Sequence, residues 1–283
     1  MTTIGLLHLP DFTLLTPTTL SQALEMMKAH PEAPIISGGT YVIPSILEKK
    51  IRPAELLDIS GVVGLKRLEV EAGVVRAGAL TTLAELAEHF LTGSEAFRNF
   101  MERYTSPAIV NIATVGGSIA LRSSTEDIIT ILLVHDTYVK LHSDSGVLEI
   151  PLEEFLEKDQ GRFLIEEIRF RDPSSVKTAF DKISMGISYI PMVSASVGLD
   201  VDRGGEIVCR VATSYRKGEL PGRVHEAEDV IHSKGLTEDA VEEAARAVEA
   251  SMEPVSDLIA PAWFRRRAGG VLVKRLLKRL AGG

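Results

Sequence analysis

The chain has 283 residues, 45% hydrophobic and 25% charged, proportions that exclude a disordered or collagen-like protein and leave room for two or three compact units. A net charge of −8 argues against nucleic acid as the main ligand, because neutralising phosphates takes clustered Lys and Arg. The longest apolar stretches, such as Ile128 to Val134, fall far short of the ~20 residues that a bilayer span needs.

In chain order, Asp11 to Thr16 reads as a short strand, and Thr19-Leu-Ser-Gln22 as a capping box opening a helix to about Ala29. A strand at Pro34 to Ser37 runs into Gly38-Gly39-Thr40, followed by a short helix over Val42 to Glu48 and a strand at Leu56 and Leu57. Leu65 to Ala79 reads as a hairpin about Glu71-Ala-Gly73. Thr82-Leu-Ala-Glu85 is a second capping box, Ala96 to Tyr104 carries a helical face, and a polar loop is expected beyond Thr114-Val-Gly-Gly-Ser118. Ser124-Thr-Glu-Asp127 then opens an apolar helix ending near Val134, and strands at Tyr138 to Leu141 and Val147 to Ile150 flank Gly146. After Arg171-Asp-Pro173 come three β-like runs, Thr178 to Ser184, Val193 to Val201 and Glu206 to Ser214, with Arg203-Gly-Gly205 as a turn. Helices over Thr237 to Met252 and Pro261 to Leu280 close the chain. Domain boundaries are expected near Asp58 and Pro173, dividing the chain into 1–57, 58–172 and 173–283.

Two segments carry candidate chemistry. In Ile35-Ile36-Ser37-Gly38-Gly39-Thr40-Tyr41-Val42 a buried strand delivers two glycines and a threonine just before a helix. Glycine lets the main chain approach a phosphate closely, and successive N–H groups can form an anion-binding nest. Thr114-Val115-Gly116-Gly117-Ser118 repeats the pattern with flanking hydroxyls, so the two turns could grip a pyrophosphate from two sides; a plain structural turn is the alternative for each. Neither a G-x-G-x-x-G nor a G-x-x-x-x-G-K-[ST] fingerprint is present. The single cysteine, Cys209, reads as a small buried hydrophobe and cannot supply the thiolates of an iron-sulfur cluster. His89, His135 and His142 lack metal-ligand spacing, and no nucleophile motif accompanies His135 and Asp136. No catalytic residue and no metal ligand is assigned. The basic run from Arg265 to Arg279 is either a solvated face or a docking surface.

Phe12-Thr-Leu-Leu-Thr-Pro17, Ser37-Gly-Gly-Thr40, Leu57-Asp-Ile-Ser60, Gly78-Ala-Leu-Thr-Thr82 and Ala113-Thr-Val-Gly-Gly-Ser-Ile-Ala120 occur in an order and spacing that resembles the FAD-binding subunit family of xanthine dehydrogenase and carbon monoxide dehydrogenase type. Trp263-Phe-Arg-Arg-Arg267 and Val271-Leu-Val-Lys-Arg275 resemble that family's closing helix. The resemblance implies an α+β fold: a two-subdomain FAD-binding unit of the vanillyl-alcohol-oxidase-like (PCMH) type followed by a carboxyl-terminal α+β domain. It also implies FAD with its pyrophosphate clasped by residues 35–42 and 114–118. Asp127, Tyr104, Lys182 and Ile165 match further flavin contacts. The implied partners are an iron-sulfur subunit and a molybdenum-cofactor subunit, with NAD or another external electron acceptor.

Departures from that pattern are Tyr41 for a common aspartate, Leu83 for a common histidine, Arg122-Ser-Ser-Thr-Glu126 for a loop of small residues and proline, and Met185-Gly-Ile-Ser-Tyr189 for an arginine pair with an acidic residue. The rival readings are a self-contained flavin oxidoreductase and a scaffold subunit that kept the fold and lost flavin. Met1 to Pro10 lacks a charged leader with a long apolar core, so a cytoplasmic protein is expected.

Overall fold

The computed structural model describes residues 10–104, 106–159, 161–185, 190–202 and 204–282. Of the sequence readings, residues 1–9, Arg203 of the expected turn and residues 186–189 of the Met185 to Tyr189 segment lie outside the described residues.

The fold is α+β, with three sheets following one another along the chain. The first is parallel, in the order β1 (Thr13–Leu15), β3 (Glu55–Asp58), β2 (Ile35–Ile36). Parallel neighbours need crossovers, and α1 (Leu20–Ala29) and α2 (Val42–Leu47) lie in them. Thr19 caps α1 by accepting from the Gln22 N–H, while the Gln22 side chain accepts from Thr18 rather than Thr19. The reciprocal half of the expected capping box is therefore displaced by one residue.

The second sheet is antiparallel, in the order β4 (Leu68–Glu71), β5 (Val74–Gly78), β8 (Phe163–Arg171), β6 (Tyr138–Ser143), β7 (Gly146–Pro151). Between β5 and β6 run α3 (Leu83–Phe90), α4 (Glu95–Arg103), α5 (Pro107–Val110), α6 (Val115–Leu121) and α7 (Asp127–Leu133), and α8 (Leu152–Glu157) precedes β8. The capping box at Thr82 and Glu85 forms in full. Together these elements enclose a core containing Phe90, Phe97, Phe100, Phe155 and Phe170.

Strand β8 was not expected, because the adjacent acids Glu166 and Glu167 interrupt the alternation that marks a strand. The register shifts at that point: Lys140 faces Glu167 while Leu141 faces Ile165, leaving Glu166 as the extra residue. Glu166 is answered by Lys140 and His142 and Glu167 by Arg67 and Arg76, with Arg67 also within 3.8 Å of Glu166 and so linking the two carboxylates.

The third sheet orders β12 (Leu220–Arg223), β11 (Ile207–Gly218), β10 (Val193–Val201) and β9 (Lys177–Ile183), with β13 (Glu253–Pro254) parallel to β11. Ala195, Val197 and Leu199 of β10 join α9 (His225–Lys234), α10 (Glu238–Ser251) and α11 (Ala262–Ala281) in one core. The alternate residues meet the second unit instead: Ser196 hydrogen-bonds Thr130 of α7 at 2.9 Å, and Gly198 lies against Val134. Ser124 does not cap α7 as expected. Its hydroxyl donates to the Glu219 carbonyl and accepts from the Tyr215 N–H, so it ties this same junction, and Glu226-rich α9 was missed for want of a capping signature at Val224.

The basic run near the carboxyl end is largely answered from within. Arg267 pairs with Glu249, Lys274 with Glu242, Lys278 with Glu238 and Arg279 with Glu95. Arg265 is fully buried, donating to the Met192 and Val255 carbonyls and to Asp257, with its guanidinium 4.0 Å from the Tyr215 ring centroid. Removing a buried, fully engaged guanidinium strands its acceptors, whereas exposed pairs contribute little. Arg265→Ala should therefore lower unfolding free energy by about 3 kcal/mol and Arg267→Ala by less than about 1 kcal/mol, as measured by urea denaturation; equal effects would contradict this assignment of roles.

Candidate functional site

Two glycine-containing segments meet where the first parallel sheet faces the second unit. Gly38 lies so close to the segment before α6 that an added Cβ would sit 1.9 Å from the Ile112 carbonyl oxygen. Gly39 has φ +72°, a left-handed conformation costly for branched side chains. Across the junction the Ser37 and Thr114 hydroxyls hydrogen-bond at 3.0 Å. The cleft they border is lined by Ile35, Ser37, Gly38, Gly39, Thr40, Tyr41, Val42, Thr114, Gly117 and Ser118. A contiguous, more apolar recess adds Gly116, Phe163, Leu164 and Ile165.

The two turns present different chemistry to this cleft. Among the described residues, the N–H groups of Gly38, Gly39, Thr40, Tyr41 and Val42 donate no hydrogen bond, five consecutive main-chain donors left free. Every corresponding amide of the second turn is engaged: Val115 donates to the Thr81 carbonyl, Gly116 to Ala79, Gly117 to the Thr114 hydroxyl and Ser118 to the Thr114 carbonyl. That second segment is the first turn of α6 rather than a loop ahead of a helix. Glycine is a poor helix former, but Thr114 caps this one, and Gly116 has packed where a Cβ would meet Ala79 at 2.6 Å. Gly117 is the glycine that faces the cleft, 3.6 Å (Cβ position) from the Ser37 hydroxyl.

Ile36 and Val115 belong to the walls rather than the lining: Ile36 packs under Gly39, and Val115 is fully buried in the core. Tyr104, Asp127 and Lys182 form a separate polar group. Asp127 and Lys182 are both buried and paired at 2.7 Å, so the carboxylate on α7 is joined to β9 of the third sheet. Burial raises the Asp127 pKa, against the pull of Lys182. Its Oδ1 has no hydrogen-bond partner among the described residues, although the nearby Ser194 hydroxyl also opposes the rise. The Tyr104 ring lies 4.9 Å from that of Phe100, tilted by 56°, and burial, reinforced by Glu126 and Asp127, raises the pKa of its phenol.

Glu126 lies within electrostatic reach of Tyr104 and Asp127. It is the N-cap residue of α7, without a side-chain capping bond, and burial pushes its carboxyl up to about 7, the Asp127 charge adding to the effect and the Ser118 hydroxyl opposing it. Arg122, another departure, is a structural clamp: at φ +50° it ends α6 and donates to the Leu156 and Lys158 carbonyls at the end of α8. Tyr41 is 57% exposed at the lip of the cleft.

These features fit a dinucleotide. Free amides in sequence suit phosphate oxygens, Gly117 leaves room beside the Thr114 and Ser37 hydroxyls while Gly38 and Gly39 let their own turn pack and bend, and the apolar recess suits a ring system.

Comparisons with known proteins identify the family. Residues 10–170 match the family model described as FAD binding domain in molybdopterin dehydrogenase, and residues 179–280 match CO dehydrogenase flavoprotein C-terminal domain. The chain is 27% identical over 278 residues to the 6-hydroxypseudooxynicotine dehydrogenase complex subunit alpha of Paenarthrobacter nicotinovorans, covering 95% of this chain and 94% of that one. It is 25% identical to the carbon monoxide dehydrogenase medium chain of Afipia carboxidovorans, covering 93% and 94%. In fold it resembles a chain of the carbon monoxide dehydrogenase from Hydrogenophaga pseudoflava lacking the Mo-pyranopterin moiety, with a TM-score of 0.88, 22% identity and coverage of 97% and 99%. The chain belongs to the family of FAD-binding domains in molybdopterin dehydrogenases, followed by the flavoprotein carboxyl-terminal domain of carbon monoxide dehydrogenases.

Proposed function

We propose that this chain is the FAD-binding subunit of a multi-subunit molybdenum hydroxylase, relaying electrons from an iron-sulfur subunit to an external acceptor, NAD or another. The observation that carries this reading is the row of five free amides at the mouth of the cleft, in a chain of this family. Bound flavin supplies the exchange between one-electron and two-electron transfer. The chain's own residues do the holding. Amides 38–42 take the pyrophosphate, the Thr114 to Ser118 segment closes the opposite side through Gly117 and its hydroxyls, and Ile165 bounds the apolar recess. Tyr104, Asp127 and Lys182 set the electrostatics near the rings, with Glu126 beside them. The division into 1–57, 58–172 and 173–283 is supported by the three separate sheets.

Partner subunits follow from what this chain offers. Cys209 is buried, and burial pushes its thiol up to about 12, which does not suit a cluster thiolate. An iron-sulfur subunit and a molybdenum-cofactor subunit would supply the electrons. Among the described residues no helix is long and apolar enough to cross a membrane, and we place the complex in the cytoplasm.

Gly39→Val and Gly117→Val should each weaken FAD binding by at least about tenfold, the first because a branched side chain strains φ +72° and presses on Ile36 and Ile43 beneath the turn, the second because it crowds the Thr114 and Ser37 hydroxyls that border the cleft. Full flavin content in folded variants, by absorbance against protein concentration, would refute the site. The flavin-loaded chain alone should show no bleaching with xanthine, aldehydes, nicotinate or carbon monoxide, and should be reduced by such a substrate only when its partner subunits are present. Substrate-dependent bleaching of the isolated chain would instead favour a self-contained oxidoreductase.

Glu126 yields a pH prediction. Its folded pKa of about 7 lies above the ordinary 4.5, so its protonated form is favoured in the folded state. The associated stability is present at low pH and is lost as pH rises through that interval. Chemical denaturation of the apoprotein at pH 5 and pH 8 should show this fall in the wild type and a smaller fall in Glu126→Gln; identical pH profiles would remove Glu126 from the account.

A further inference from the structure

The cleft has two walls from different parts of the chain, and one side chain joins them away from the glycine contact. Arg162 immediately precedes β8, whose first three residues Phe163, Leu164 and Ile165 line the apolar recess. Its guanidinium reaches back across some 130 residues to the turn that follows α1, donating to the carbonyls of His30 (3.2 Å), Pro31 and Ala33 (2.6 Å). That turn feeds directly into β2 at Ile35, and so into Ser37 and the free amides of Gly38 to Val42.

The chemistry of the contact is unusual for a stability device. Among the described residues no carboxylate pairs with this guanidinium: Glu32 and Asp144 act on it only at a distance, while burial lowers its pKa. Its Nε is buried without a hydrogen-bond partner among the described residues. A partly desolvated cation answered only by neutral carbonyls recovers less of its desolvation cost than an ion pair does. What the arrangement does supply is geometry, because a planar fork contacting three carbonyls of one turn fixes both its distance and its orientation.

We propose that Arg162 is a positioning residue for the cofactor, holding the wall that carries amides 38–42 at the spacing from the β8 wall that FAD requires. The Ser37–Thr114 hydroxyl pair and the Gly38 contact hold one part of the junction, and Arg162 holds another. Without it the glycine turn stays attached at one point but swings relative to the recess, so phosphate and ring sites no longer fit one ligand at once. This inference rests on the FAD reading of the cleft.

The test measures FAD dissociation constants by flavin fluorescence quenching on the full chain, for wild type, Arg162→Ala and Arg162→Lys, alongside thermal unfolding of each apoprotein. We expect Arg162→Ala to weaken binding at least about tenfold with an apoprotein melting within a few degrees of wild type, and millimolar guanidinium ion to restore much of the lost affinity. Arg162→Lys, which keeps the charge but cannot span three carbonyls, should fall between, and it carries the test if the alanine variant does not fold. Wild-type affinity in Arg162→Ala would overturn the proposal. So would weakening that follows loss of folded apoprotein in both variants and is not relieved by guanidinium. A wild-type chain that binds no FAD would overturn the cofactor reading itself, an outcome separate from a failure confined to Arg162.

Discussion

The approach of two main chains at Gly38 organises the site. With the Ile112 carbonyl 1.9 Å from where a Cβ would stand, only glycine lets the turn after β2 dock against the segment leading into α6. That docking holds Ser37 against Thr114 and leaves the following amides without internal partners. Unpaired main-chain donors are costly wherever they are cut off from water. None of residues 38–42 is buried, so this run of five, leading into the start of α2, stays open to water and to an anionic ligand.

The second glycine pair serves a different purpose. Its amides are consumed by Thr81, Ala79 and Thr114, so the segment is a finished helix start whose role is to bring small surfaces and hydroxyls to the cleft. One wall thus supplies unsatisfied donors and the other a rigid, already satisfied face. The third sheet enters through Lys182, which crosses to Asp127 on α7, so the carboxyl-terminal domain contributes a buried charge to the second unit as well as a fold of its own. The C-terminal helix is committed to that domain through Arg265 and the apolar row Leu272, Leu276 and Leu280. Its exposed bases are mostly paired within the chain, while Trp263 remains 64% exposed.

Much of this was legible in the sequence, and the exceptions have physical causes. Local signals with a direct mechanism worked: the Thr82–Glu85 capping box forms, and the Gly38-Gly39 turn follows a strand as read. Residues 35–42 and 114–118 are brought to one cleft. What escaped was set by tertiary partners. Strand β8 hides behind a bulge at Glu166 whose carboxylate is met by cross-strand Lys140 and His142. Helix α6 begins with glycines because the carbonyls of Ala79 and Thr81 wait for its amides. Ser124 looks like a cap and is instead spent on Tyr215 and Glu219, about ninety residues away. No local pattern could show that Arg162 closes the turn after α1, since the acceptors are main-chain carbonyls that any sequence would provide.

Residue-resolved amide hydrogen exchange, with and without FAD, tests the central claim most directly. In the apoprotein, the amides of Val115 to Ser118 should already be protected by their internal hydrogen bonds and those of Gly38 to Val42 should exchange freely, gaining protection when FAD is added. Exchange at Gly38 to Val42 that is slow beforehand, or that FAD leaves unchanged while the cofactor is bound, would contradict the account.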